Sequence, residues 1–145
     1  MEQLIKQLKR HEGVRTHAYR DINGLLHIGC GRNIDGDTAR PGPGLTMREI
    51  DEMLQNDIKV SIKELSQTYP WFNALEDGAR KDAVINLHFN MGGPTLAKFK
   101  KALGHMETGS YDEAAAEFLS SRWAKQVKRR AIEVTDMIKT GTYTG

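Results

Sequence analysis

The chain has 145 residues, of which 39% are hydrophobic and 28% charged. That length and balance describe one globular domain able to bury its own core, and exclude a disordered chain. The 21 Lys and Arg against 19 Asp and Glu leave a formal charge of +2, a small excess for a strong nucleic-acid binder. The single cysteine, Cys30, excludes an intramolecular disulfide and a multi-cysteine metal site. Histidines 11, 17, 27, 88 and 105 form no zinc-binding spacing, so no metal and no cofactor is expected. No apolar run approaches the roughly 20 residues that span a bilayer. The opening MEQLIKQLKR is charged throughout and lacks the apolar stretch of a signal peptide. The chain is therefore expected to stay in the cytoplasm of its cell, or to leave by a route that others supply.

Leu4, Ile5 and Leu8 predict a helix over 3–11, stopped by Gly13 just after Glu12. Asn23-Gly24 is a hairpin signal, flanked by possible short strands at Ala18-Tyr19 and Leu25–Ile28. The glycines and prolines that follow make 32–45 mostly loop. Thr46-Met47-Arg48-Glu49 reads as a capping box. Behind it Ile50, Met53, Leu54, Ile58, Ile62 and Leu65 draw one apolar stripe along a helix that ends at Tyr69-Pro70. Such a helix, about 20 residues and about 30 Å long, is long enough to bridge two lobes.

Asn73 and Glu76 suggest the next cap, and Ala79, Ala83, Val84 and Leu87 carry a helix as far as Met91, where Gly92-Gly93-Pro94 breaks it. Leu96, Phe99 and Leu103 predict a short helix ended by Gly104. Ser110-Tyr111-Asp112-Glu113 reads as a second capping box, opening a helix through Leu119. A last helix over 127–139 is expected to bury Ala131, Ile132 and Ile138 and to stop at Gly141. The fold class is thus α+β and mainly helical.

The most informative stretch runs from Glu12 to Arg32. Glu12 stands at a helix end, Asp21 beside the turn and His27 on the returning strand. A hairpin folded over the helix end would bring two carboxyls and a third polar group together, the minimum equipment for acid/base cleavage of an acetal. Each residue also has a plain reading: Glu12 a solvated helix-end charge, Asp21 a turn residue, His27 a half-exposed strand residue. Lys125, Lys128, Arg129 and Arg130 form a basic cluster. It reads as a solvated helix face or, as the rival function, a nucleic-acid contact.

The joint pattern separates these readings. HEGVRTHAYRDINGLLHIGCGRN resembles the signature of the phage-type lysozymes, glycoside hydrolase family 24, through Glu12-Gly13-Val14-Arg15, Tyr19-Arg20-Asp21, Gly24 and Ile28-Gly29-Cys30-Gly31. Phe89-Asn90-Met91-Gly92, Tyr111-Asp112-Glu113-Ala114-Ala115, Ser121-Arg122-Trp123 and Thr140-Gly141-Thr142-Tyr143 extend the resemblance over nearly the whole chain, in order. The resemblance implies a two-lobed lysozyme-like fold in a single domain over 1–145. Its small β-hairpin lobe would span about 13–45, its long connecting helix 46–68, and its helical lobe 70–145, joined by helix 3–11.

It also implies hydrolysis of the β-1,4 bond between N-acetylmuramic acid and N-acetylglucosamine in peptidoglycan, leading to host cell lysis. Glu12 would be the general acid and Asp21 the carboxylate that stays ionised. Arg130 falls where the family has an arginine near the glutamate, and would support the site. For substrate, Phe89 and Asn90 match a glycan-facing segment. Asn33, Ala102 and Glu117 fall at further contact positions with other residue types, and of these Asn33 and Glu117 are the candidates. Trp123 reads as core. Two residues depart from the pattern: His27 stands for the threonine that helps place the attacking water, and Arg32 for a histidine. The family inverts at the anomeric carbon. An imidazole at position 27 is open to an active reading, as base or nucleophile with retention or transglycosylation, and to a passive one, as a natural or engineered replacement. The loss of the threonine also keeps open a lysozyme-like protein that binds glycan and cuts it weakly. The expected partner is the peptidoglycan glycan strand, met by a monomer without nucleic acid or membrane insertion. Access to the wall from the host cytoplasm would depend on a separate membrane-permeabilising protein.

Overall fold

The structure, a computed structural model, describes residues 1–20, 26–29, 32–33 and 46–143, with the strand residues among 15–33 described as backbone. The described chain is mainly helical, and it divides into two compact units, Met1–Ile58 and Lys59–Gly145.

In the first unit α1 spans Glu2–Glu12 and buries Leu4 and Leu8, as their helical spacing predicts. It stops where Gly13 takes φ 73°, a conformation that costs glycine least. Three short antiparallel strands follow: β1 (Arg15–Arg20), β2 (Leu26–Gly29) and β3 (Arg32–Asn33), ordered β1-β2-β3. The two expected strands are longer or shifted by a residue or two. β3 falls where the glycine-rich sequence reads as loop, because two residues suffice to pair with β2 and leave no periodicity to detect. The Asn23-Gly24 turn and residues 34–45 lie outside the described residues.

The long helix α2 (Met47–Thr68) carries the unit boundary within it. Its capping box forms as the sequence predicts. Thr46 Oγ1 accepts from the Glu49 N–H and Glu49 Oε1 accepts from the Thr46 N–H, both at 3.1 Å. Ile50, Leu54, Ile58 and Leu65 are buried along its stripe. Asp51 of α2 pairs with Lys9 of α1.

The second unit holds α3 (Pro70–Ala74), α4 (Ala79–Met91), α5 (Gly93–Leu96), α6 (Lys100–Thr108), α7 (Tyr111–Leu119), α8 (Arg122–Val127) and α9 (Arg129–Thr140). α9 packs against α4, α7 and α8, and α6 against α7. Phe72, Leu87, Leu96, Phe118, Val134, Met137 and Ile138 fill this core, each 2% exposed or less.

Several sequence expectations are corrected here. Pro70 does not merely end α2 but starts α3, where a missing N–H costs nothing. Asn73 does not cap α4: its Nδ2 donates to the Ser66 carbonyl, and Gly78 takes the N-cap. Gly104 does not end a helix. α6 runs through it, because Met106 beyond it is buried, and stops at Gly109 in the left-handed conformation. The second capping box does not form: Ser110 Oγ shares a hydrogen bond with Thr108 Oγ1 instead. Ile132 is 55% exposed, and Val134, Thr135 and Met137 line the buried face of α9 with Ala131 and Ile138.

Candidate active site

Glu12 is the last residue of α1, half-buried, with the chain turning at Gly13 into β1. β1 ends at Arg20, so Asp21, the second proposed carboxylate, lies outside the described residues. His27 sits in β2, where its register partners are Tyr19 of β1 and Asn33 of β3. The sheet therefore brings two predicted residues, His27 and Asn33, opposite one another.

In the second unit Phe89 and Asn90 are adjacent in the last turn of α4, both half-buried. Asn90 Oδ1 accepts a 2.6 Å hydrogen bond from Trp123 Nε1. Trp123 is 8% exposed, in keeping with its reading as core. Glu117 is half-buried on α7, and Ala102 is buried on α6 with no surface to offer a ligand. Arg130, in the first turn of α9, donates from Nε at 3.1 Å and from Nη2 at 2.9 Å to Asn86 Oδ1. Asn86 is buried in α4, so this bond orients the guanidinium from behind. The basic cluster is thus split: Lys125, Lys128 and Arg129 are exposed, while Arg130 is tied to Asn86.

Sequence reasoning missed Asn86, and it missed a polar chain centred on the buried His88, from buried Ser61 to exposed Glu64. His88 Nδ1 lies 2.9 Å from Ser61 Oγ, and Nε2 lies 2.9 Å from Glu64 Oε2, beside a groove of about 350 Å³ lined also by Tyr69, Gly93 and Pro94. A helical position filled by His gives no periodic signal that separates a buried ring from a surface one. Among the described residues no group of three or more His, Cys, Asp or Glu side chains is placed to hold a metal. No helix among them is long and apolar enough to cross a membrane.

Comparison with known proteins defines the class, a glycosidase of the lysozyme kind. A family model described as phage lysozyme matches residues 9–135, and the chain belongs to that family. It is 29% identical to a probable T4-type lysozyme 2 of Dictyostelium discoideum, over 93% of this chain and 92% of that one. It is 30% identical to the endolysin of Salmonella phage P22, over 86% of this chain and 82% of the relative. It is also 30% identical to the pre-baseplate central spike protein Gp5 of Enterobacteria phage T4, over 95% of this chain and 28% of that longer protein.

Proposed function

We propose that the chain is an endolysin of glycoside hydrolase family 24 that cuts the β-1,4 bond between N-acetylmuramic acid and N-acetylglucosamine in peptidoglycan and so lyses the host cell. The observation that carries this reading is the family match over 9–135, which takes in Glu12-Gly13-Val14-Arg15 and Tyr19-Arg20-Asp21 in order. Glu12 protonates the leaving glycosidic oxygen. Asp21 stays ionised and stabilises the oxocarbenium-like charge or activates the nucleophile. Arg130 supports the site, and Phe89, Asn90, Asn33 and Glu117 contact the glycan. His27 takes the place of the water-positioning threonine. The two-lobed domain, with β1–β3 in its small lobe and α2 as connecting helix, goes with this reading. So does a monomer that reaches the wall from the host cytoplasm after a separate protein permeabilises the membrane.

The test is Glu12→Gln. The amide fills the same space but delivers no proton, so wall lysis should fall by about 10²–10⁴-fold while the circular dichroism spectrum and melting temperature stay those of the parent. Lysis within threefold of the parent removes Glu12 from the mechanism. A glycan binder that does not cut, the reading that the loss of the threonine at position 27 keeps open, predicts wall sedimentation with the protein and no turbidity loss even in the parent.

A further inference from the structure

The polar chain from Ser61 to Glu64 ends at the groove of about 350 Å³, which residues of the second unit alone line. A carboxylate needs an N–H facing it, so in the neutral ring His88 Nε2 carries the proton and donates to Glu64 Oε2 at 2.9 Å. Nδ1 then accepts from the Ser61 hydroxyl, also at 2.9 Å. Ser61 is 5% exposed and His88 8%, so the ring is fixed by packing and through both nitrogens. A surface glutamate ordinarily keeps its rotamer freedom. Glu64, with its side chain 56% exposed, is instead tied at one oxygen to a buried support. Its other oxygen, Oε1, takes no partner among the described residues. Gly93 leaves the pair uncovered: a Cβ there would stand 3.4 Å from His88 Nε2 and 3.9 Å from Glu64 Oε2.

We propose that this groove binds a primary ammonium on an aliphatic stem, and that the ligand is the free side-chain amine of peptides in the wall. With the ring neutral, the pair keeps the full negative charge of Glu64, so a cation is the complementary ligand. The single free oxygen selects among cations. A guanidinium gains most from two parallel bonds to both oxygens of a carboxylate, and Oε2 is already held by His88. An ammonium is a point charge satisfied by single bonds in several directions. Glu64 Oε1 supplies one, and Gln67 and Thr68 bring further acceptor oxygens to the lining. Tyr69 and Pro94 give the aliphatic stem apolar surface to lie along. Ser61 and His88 are the positioning residues of the site. The wall as source rests on the peptidoglycan reading above, whereas the ammonium site does not.

The test follows the His88 ring resonances of the whole chain, assigned with His88→Gln, at one pH and one ionic strength. The probes are Nα-acetyl-lysinamide, Nα-acetyl-argininamide and the uncharged Nα-acetyl-norleucinamide. The lysine probe should move the resonances saturably with a Kd of about 1–10 mM, the range open to one charge-assisted hydrogen bond and a few weak contacts. The arginine probe should bind about threefold more weakly or worse, and the norleucine probe should not bind. Glu64→Gln, a change of the same shape at an exposed side chain, should weaken the lysine probe about tenfold. No saturable movement, equal movement with all three probes, equal binding of the lysine and arginine probes, or parental binding by Glu64→Gln overturns the site. Walls test the source. On walls with free amines Glu64→Gln should raise the KM for lysis severalfold with kcat unchanged, and the two proteins should match on walls whose amines are acetylated. A match on both walls, or an equal deficit on both, overturns the wall amine as ligand. A parent that binds the lysine probe but lyses no wall removes the peptidoglycan reading, and the wall source with it, and leaves the ammonium site standing.

Discussion

Tyr143 donates a hydrogen bond to Asp82 Oδ2 that ties the C-terminal tail to α4. Burial, then the bond to Asp82 and its charge, holds the phenol well above its ordinary range. Burial also raises the Asp82 carboxyl, against the opposing effect of the Tyr143 bond. A phenol whose folded pKa lies above the unfolded value of about 10 contributes stability that is full below that pH and is lost above it. There the unfolded chain releases its proton while the folded one keeps it. The Asp82 contribution has the same sense at the acid end, present below about pH 4 and lost as pH rises. Tyr143→Phe should therefore be less stable than the parent at pH 7 by about 1 kcal/mol, a low value because the pair is half open to water. The gap should shrink between pH 10 and 11, where the parent alone loses this contribution. Urea unfolding across that range checks it, and a constant gap sinks the linkage. His27 carries a second prediction. A family that inverts holds a water opposite the leaving group, with acid and base about 6.5–9.5 Å apart. An imidazole is larger than the threonine it replaces and, when neutral, is a nucleophile. Attack by it opposite the leaving group, then displacement of the imidazole by water on the face that the leaving group vacated, gives net retention and some transfer product. Proton NMR of freshly released reducing ends should show the β anomer, and an α anomer without transfer products makes His27 passive.

The two capping-box sequences show how far an element can be read without coordinates. Thr46-Met47-Arg48-Glu49 forms both reciprocal bonds, whereas Ser110 turns its hydroxyl to Thr108 at 3.2 Å. The difference comes from what precedes Ser110. Thr108 and Gly109 end one helix a residue before the next begins, and the left-handed Gly109 folds Ser110 back on the earlier turn. Thr46→Ala should thus cost about 1 kcal/mol. Ser110→Ala should cost a few tenths, its bond being exposed and side chain to side chain. Thermal melts of the two variants check the contrast, and equal losses refute it. The same reasoning explains the other boundaries. Apolar periodicity locates α1, α2 and most of α9, because each buries a stripe that repeats over several turns; it also locates α4, though that helix is buried nearly all round from Ala83 to His88, and α7 is marked by Ser110-Tyr111-Asp112-Glu113 instead. It passed over α3, α5 and α8, which at 5, 4 and 6 residues are too short to repeat a stripe. It took Gly104 for a stop because composition cannot show that Met106 is buried beyond it. In the site, the order of Glu12, His27, Phe89 and Asn90 was legible as a motif. The partners were not: Asn86 behind Arg130, Trp123 behind Asn90 and the Ser61–His88–Glu64 chain depend on helices far apart in sequence.

On the scale of the whole chain the formal charge is only +2, so no long-range field of one sign dominates. What attraction it has for an anionic wall must come from local groups. Lys125, Lys128 and Arg129 are exposed within five residues of one another, and Arg130 adds nothing to that face because its guanidinium is turned to Asn86. Three cations on a surface act over about 30 Å at 0.01 M salt and about 10 Å at 0.1 M. They should speed encounter with a wall carrying anionic polymers, and should leave the chemistry proposed for Glu12 untouched. The triple variant Lys125→Gln, Lys128→Gln, Arg129→Gln should therefore lyse whole walls severalfold more slowly than the parent at 0.01 M salt. The two should converge above about 0.3 M, where exposed charges are largely screened. On soluble, uncharged chito-oligosaccharide the two proteins should match at every salt concentration. Turbidity loss against sodium chloride, run beside the oligosaccharide assay, decides it. A deficit that persists at high salt, or that appears equally on the neutral oligosaccharide, would place these residues in glycan binding instead of in electrostatic encounter.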